Sequence, residues 1–324
     1  MSRNVRNAVV LAMPEAAYGN DPGPTGANAI LIANLSAVPL NANNVDRALL
    51  RAYFGASEML PGTHYAEVSF DVEIVGSGTI GTAPAWECLL LACGFASTVT
   101  ADRVDYLPLT DAQPSATIYL NDSGVLHELN GARGTVTFKL NAGEKPVMSY
   151  HFLGLYVPIT AAALPVPDYS GFMQPQIPTH GNTQVLTLGA THADAGPPAL
   201  TGGTTISSLG LEINVGNNVQ FTPMIGAETV DITNREVTGK VKVDATAAQE
   251  VARMADVLAG TLSSVGMIHG TVAGSRVMLY LPTAQFLNPS KEELNGRRLI
   301  GYDLRGVPPA TAGGNNELRV VVCF

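Results

Sequence analysis

Residues 67–75, EVSFDVEIV, alternate strictly between polar and apolar side chains. On an extended strand successive side chains point to opposite faces. Val68, Phe70, Val72 and Ile74 therefore face one way, and Glu67, Ser69, Asp71 and Glu73 the other. A segment of this kind is a half-buried strand, dry on one face and wet on the other. The same alternation returns at 237–245, VTGKVKVDA. That recurrence constrains the fold more than any single motif does.

The flanking segments fall into the same order around each of these strands. The apolar runs AILIANLSAV (29–38) and ISSLGLEINV (206–215) have strand length and composition. Each leads into a long connection, 41–66 and 216–236. Each alternating strand is followed by the one good helical segment of its half. These are APAWECLLLACGF (83–95), with Pro84 near its start and Gly94 near its end, and TAAQEVARMADVLAG (246–260). Strands at 115–121, 131–141 and 146–157 complete the first half. HELNGARGTVTFKLN (127–141) is set against EELNGRRLIGYDLRG (292–306) through a shared Glu-Leu-Asn-Gly, and PVMSYHFLGLY against ELRVVVCF. Order, spacing and this short identity predict an internal duplication. The fold expected is mainly β (α+β), with two tandem β-sandwich or barrel-forming domains, each carrying one flanking helix. The first spans 1–160, with an extended Pro/Gly-rich arm at 14–28. The second spans 204–324, and 161–203 is a Pro/Gly-rich linker or arm with one strand around QVLTLGA.

A structureless connection as long as 41–66 is functional or disordered. Leu49, Leu50, Tyr53, Phe54 and Met59 argue against disorder, so the segment reads as a contact loop. Phe221 and Met224 occupy the corresponding stretch of the second half. Composition supports contact on a large scale. Hydrophobic residues make up 46% of the 324 residues and charged residues only 14%, against roughly 25% in ordinary soluble proteins. Either an extensive obligate interface or a membrane would explain this, but no run of ~20 apolar residues offers a spanning helix. The N-terminal apolar stretch is too short for a signal peptide, so folding and assembly in the cytoplasm are expected. Net charge is −9 with no basic stripe, which disfavours tight phosphate binding. Cys88, Cys93 and Cys323 are odd in number, lack metal-ligand spacing and read as reduced, buried thiols.

Gly76-Ser-Gly78-Thr-Ile-Gly81 matches the G-x-G-x-x-G dinucleotide fingerprint between a strand and a helix. The preceding strand alternates, however, where a central parallel strand would be apolar on both faces. The corresponding VDATAA of the second half has no glycine. A glycine-rich turn is the expectation, with a nucleotide-binding enzyme using Gly76–Gly81 as the alternative. The six histidines form no H-x-x-x-H or H-E-x-x-H pattern, and Ser77 lacks a nucleophile elbow. No catalytic residue, metal ligand or cofactor is expected. If Val72 and Ile74 match Val241 and Val243, then Asp71 and Glu73 match Lys240 and Lys242. These four polar-face positions are candidates for a lumen or for an inter-subunit strand face where copies meet side by side through opposite charges.

AAYGNDPGPTGANAILIANLS, SFDVEIVGSGTIGTAPAWECLLLACGFASTV and GVLHELNGARGTVTFKLNAGEKPVMSYHFLGLY together resemble the long, two-domain major tail tube proteins of siphophages, as do the later GNNVQF and ITNREVTGKVKVDA. The resemblance implies a structural virion protein, not an enzyme. Strands of neighbouring subunits would join into one barrel, and stacked rings would form the tail tube through which DNA is ejected. Two domains per chain imply a trimeric ring with pseudo-sixfold symmetry. The long loop between early strands would carry ring-to-ring contacts. Partners implied are the tape measure protein, the tail terminator and distal tail proteins, and DNA in transit without specific binding; no membrane is involved. A capsid decoration or other virion β-sandwich protein is the alternative.

Overall fold

The structure, a computed structural model, describes residues 4, 6–309 and 313–324. Residues 1–3 and 5, part of the N-terminal stretch considered above as a leader, lie outside them. The first half contains β1 (Ala8–Pro14), β2 (Ala29–Ile30), β3 (Ala33–Asp46), β4 (Met59–Glu73), α1 (Glu87–Ala92), β5 (Phe95–Val99), β6 (Val104–Pro108), β7 (Ala116–Asp122), β8 (Val125–Asn141) and β9 (Val147–Tyr156). The short strands β10 (Thr160–Ala161), β11 (Leu186–Leu188), β12 (Thr191–His192) and β13 (Leu200–Thr201) lie in the connecting segment. The second half contains β14 (Thr204–Asn214), β15 (Asn217–Met224), β16 (Ala227–Arg235), β17 (Thr238–Asp244), α2 (Ala247–Ala259), β18 (Leu262–His269), β19 (Val277–Leu294), β20 (Arg297–Gly306) and β21 (Arg319–Val322). The fold is mainly β.

In the first half the antiparallel order is β3–β4–β9–β8–β7–β1, and β1 also pairs with β2, just upstream of β3. The second half runs β14–β17–β20–β19–β18–β11, and β11 pairs back to the start of β14. The same circuit therefore occurs twice. In this order β8 corresponds to β19 and β9 to β20, which shifts the expected alignment of the closing segments by one strand. Asn130 and Gly131 sit at a register shift inside β8, where Gly131 has φ 58°. Asn295 and Gly296, with φ 49° and 80°, turn the chain between β19 and β20, as a two-residue hairpin demands. The shared Glu-Leu-Asn-Gly thus lies at places that do not correspond. Likewise β21, which holds the central RVVV of ELRVVVCF, is no counterpart of β9; it crosses to the first half and pairs with β6 and β19.

The apolar face of β4 is buried as the alternation requires, with Val68, Phe70 and Val72, and Ile74 just beyond, at 2% exposure or less. One continuous apolar cluster runs from Phe70, Phe138 and Phe152 through Leu211 and Ile213 to Val241 and Tyr302. The core is shared, not divided. The helices differ from expectation at one point: only 87–92 of 83–95 is helical. Trp86 donates its indole N–H to the Val75 carbonyl (2.8 Å), so the residues before the helix follow the end of β4. The other helix begins in a capping box between Thr246 and Gln249 and ends at Gly260, which is left-handed at φ 65°.

Neither long connection is a loop throughout. Residues 41–46 and 59–66 extend β3 and β4 into a projecting hairpin, leaving 47–58 at its tip. Residues 216–236 form a second hairpin, β15–β16, turning at Ile225-Gly226. Strands β1, β5 and β6 were also not expected.

Candidate assembly surfaces

The two halves are joined by a strand pairing within the chain. The C-terminal part of β8 pairs with β14 from Thr137↔Asn214 to Asn141↔Gly210. This seam creates one eight-strand order across the molecule, β3–β4–β9–β8–β14–β17–β20–β19. At Gly210 an added Cβ would lie 2.2 Å from the Leu140 carbonyl oxygen, so only glycine lets the backbones approach this closely. That lone glycine inside an apolar strand was the one sequence signal of the seam. Along it Lys139, Glu212, Lys240 and Asp303 face one another on four successive strands, alternating in sign.

Asp71, Glu73, Lys240 and Lys242 lie on the polar face of this sheet, but not where two chains could pair. Strand β4 is held between β3 and β9, and β17 between β14 and β20. Both edges of each of these strands are therefore used within the chain. Their charges also have partners within the chain. Asp71 accepts from the Asn34 amide (2.7 Å), Glu73 lies 3.5 Å from Lys145, and Lys242 lies 2.6 Å from Glu292. Two other strands form the ends of the sheet. Among the described residues β3 pairs only with β4, and residues 286–294 of β19 pair only with β20. Pro39 and Pro289 punctuate these edges, and edge prolines limit indiscriminate pairing.

The β3–β4 hairpin carries the largest set of exposed apolar side chains. Leu50 and Phe54 are fully exposed at its tip, with Leu49, Tyr53 and Met59 beside them and Val38, Leu40, Val45 and Leu60 along its length. Arg47 and Arg51 both reach Glu58, which braces the tip. The shorter β15–β16 hairpin is instead docked on the first half. Phe221 lies on Tyr65 (ring centroids 5.1 Å apart). Arg133 donates to the Val230 carbonyl and the Asp231 carboxylate, both at 2.8 Å, and lies over the Tyr18 ring. Asn217 donates to the carbonyls of Cys93 and Gly134. Of its large apolar side chains, only Met224 and Ile225 at the turn are exposed. The structure thus separates two groups of residues that the sequence had treated alike.

The Gly76–Gly81 loop packs against protein, and its amides are in use. Gly78 N–H donates to the Gly274 carbonyl and Gly81 N–H to the Cys323 carbonyl (3.0 and 2.9 Å). A Cβ at Gly76 would meet the Gly274 oxygen at 2.2 Å. A phosphate cradle needs free amides at the start of a helix; here they fasten the first half to the β18–β19 turn and the C-terminus. Burial pushes the Cys88 thiol up to about 12 and raises those of Cys93 and Cys323, so none is a ready thiolate. Among the described residues no group of three or more His, Cys, Asp or Glu could hold a metal ion. No described helix is long and apolar enough to cross a membrane.

Within the connecting segment, the stretch between β12 and β13 is pinned by a charge cluster. Arg103 bonds Asp105 (2.6 Å) and the carbonyls of Ala193, Asp194 and Gly196. Arg319 reaches Asp194 and His192 Nδ1, each at 2.9 Å. Burial, with Arg319 and Arg103 close by, holds the His192 pKa below its ordinary value.

The eight-strand sheet thus has open edges at β3 and β19, and apolar side chains project from its β3–β4 hairpin. No curated protein matches the chain. The model of the phage tail tube protein family matches residues 5–319, and the chain belongs to that family.

Proposed function

We infer that the chain assembles into stacked rings that form the tail tube, the conduit for DNA ejection. The observation that carries this reading is the β8–β14 seam. The circuit that gives β8 its place in the first half gives β19 the same place in the second, and β14 likewise corresponds to β3. The partner of the open β19 edge is then the open β3 edge of another copy, joined as β8 is joined to β14. Three copies would close a barrel of twenty-four strands. With strands ~4.8 Å apart and tilted ~40°, its backbone radius is about 24 Å. Six copies would double that radius, far more than one duplex requires. The two halves thus act as two tube units in a trimeric, pseudo-sixfold ring.

The polar sheet face suits the lumen, because its mixed charges give a passing polyanion no basic stripe to hold. The hairpin tip (Leu49, Leu50, Tyr53, Phe54, Met59) serves ring-to-ring contact. Tape measure protein inside, with terminator and distal tail proteins at the ends, are the partners such a tube requires in the virion. Electron microscopy of the purified chain tests the reading: tubes about ten nanometres wide with threefold-symmetric rings are expected. Discrete particles at every concentration would overturn it.

A further inference from the structure

Helix α2 turns its apolar side outward. Ala248, Val251, Ala252, Ala255, Leu258 and Ala259 are all exposed, with Val251 at 72% and Leu258 at 89%. These positions recur at three- and four-residue spacing, so they form one stripe without a charge. The charged residues lie on the partly buried side: Glu250 pairs with Lys291 (3.1 Å), and Arg253 with Asp256. A soluble helix normally has the opposite arrangement. The helix at the same step of the first circuit, α1, is covered, with Leu89, Leu90 and Ala92 buried.

What lies against the end of α1 indicates what covers α2. Just past α1, the Cys93 carbonyl accepts from Asn217, and the Ile232 side chain lies within 3.2 Å of where a Gly94 Cβ would be. Asn217 and Ile232 belong to the hairpin that leads out of β14 and back into β17. In the first circuit the strands at those steps are β3 and β4, and beyond the contacts at His64 and Tyr65 the apolar flank of their hairpin is left exposed among the described residues. We propose that the β3–β4 hairpin of a second copy of this chain packs its flank, Val38, Leu40 and Leu60, onto Leu258 at the C-terminal end of α2 and Leu262 at the start of β18. Exposure on both sides matches: Val38, Leu40 and Leu60 are 42%, 50% and 52% exposed, and Leu262 is 47%. The contact is heterologous, one surface meeting a different surface of the next copy, so it propagates around a ring and leaves the hairpin tip free for the adjacent ring.

The inference rests on the tube reading, and a paired experiment separates the two. Leu258→Asp places a charge on a solvent-facing position, so circular dichroism and melting temperature stay those of the parent protein. The concentration at which tubes form is expected to rise about tenfold or more, as a lost buried leucine contact implies. In parallel, a Leu258→Cys chain is mixed with a Leu60→Cys chain and treated with a short thiol crosslinker. Linked dimers are expected from the mixture in assembled tubes, and not from either variant alone. If the parent forms tubes and Leu258→Asp forms them at the same concentration, or the mixture yields no linked dimer, the contact is wrong and the tube reading stands. If the parent forms no tubes, the tube reading itself fails.

Discussion

Lys139 on β8 and Glu212 on β14 sit directly opposite each other across the seam that joins the two halves of the chain. Glu212 is in turn opposite Lys240, and Lys240 opposite Asp303. Opposite charges facing across strands stabilise pairing by about 0.2–1 kcal/mol per pair, and like charges reverse the sign. Glu212→Lys would place three cations in a row. It is expected to lower the melting temperature by a few degrees, since 1 kcal/mol shifts a domain of this size by about 2–4 °C. Lys139→Glu in the same chain should restore part of the loss, measured by calorimetry as a double-mutant cycle. Additive losses would show that the two charges do not interact.

The hairpin tip makes a sharper separation between folding and assembly. Leu50 and Phe54 are fully exposed, so their replacement removes no contact within the chain. Leu50→Asp with Phe54→Asp is expected to leave the melting temperature unchanged within about 1 °C, because exposed substitutions stay near ±0.5 kcal/mol. Stacking of rings should be lost while single rings persist, visible by electron microscopy. Tubes of normal length would remove the tip from the ring-to-ring contact.

The parts of this fold that were legible are those where one face is wet and one dry. β4 and β17 announced themselves because their polar faces line an open sheet surface. β6 did not, because Asp105 is buried there against Arg103 and breaks the apolar pattern of its strand. β15 and β16 were hidden by Pro223 and by polar residues that face the first half or solvent. The closing strands do not align on the shared Glu-Leu-Asn-Gly, because Asn-Gly serves a register shift inside β8 and a turn between β19 and β20. Asp71 and Lys240 were correctly placed on a polar face, but a face does not reveal whether its strand is at an edge. That depends on pairing partners far away in the chain, such as Ser149 opposite Asp71 and Asp303 opposite Lys240. The outward stripe of α2 has a helical period that is readable in the sequence, whereas its direction is not.

The glycine loop offers a direct choice between a joint and a cofactor site. At Gly76 a Cβ would overlap the Gly274 oxygen and approach the Cys323 sulfur at 3.0 Å. Gly76→Ala is therefore expected to destabilise the chain by about 1–3 kcal/mol through overpacking, read as a lower denaturation midpoint with an unchanged slope. A dinucleotide should give no thermal shift with the parent protein. A shift that grows with dinucleotide concentration would revive the binding-site reading.

Two buried histidines make stability depend on pH. His192 accepts an N–H from Arg319 at Nδ1. His269 is positioned to accept the Thr183 hydroxyl at Nδ1 and to donate from Nε2 to the Gln176 carbonyl. Both rings are neutral in these bonds. Burial lowers both pKa values from 6.5, aided at His192 by Arg319 and Arg103 and opposed there by Asp194 and Asp105. The unfolded chain therefore takes up protons at these sites before the folded chain does, so the unfolded state binds more protons just below pH 6.5. Stability from these groups is complete above that pH and is lost as pH falls from the unfolded value towards the lower folded values. Melting temperature should be level from pH 8 to about 7 and fall between about 6.5 and 5. His269→Gln should flatten part of this decline, because a neutral amide cannot take up the proton. An equally steep decline in that variant would assign the pH dependence to other groups, such as the Asp194 carboxylate paired with Arg319.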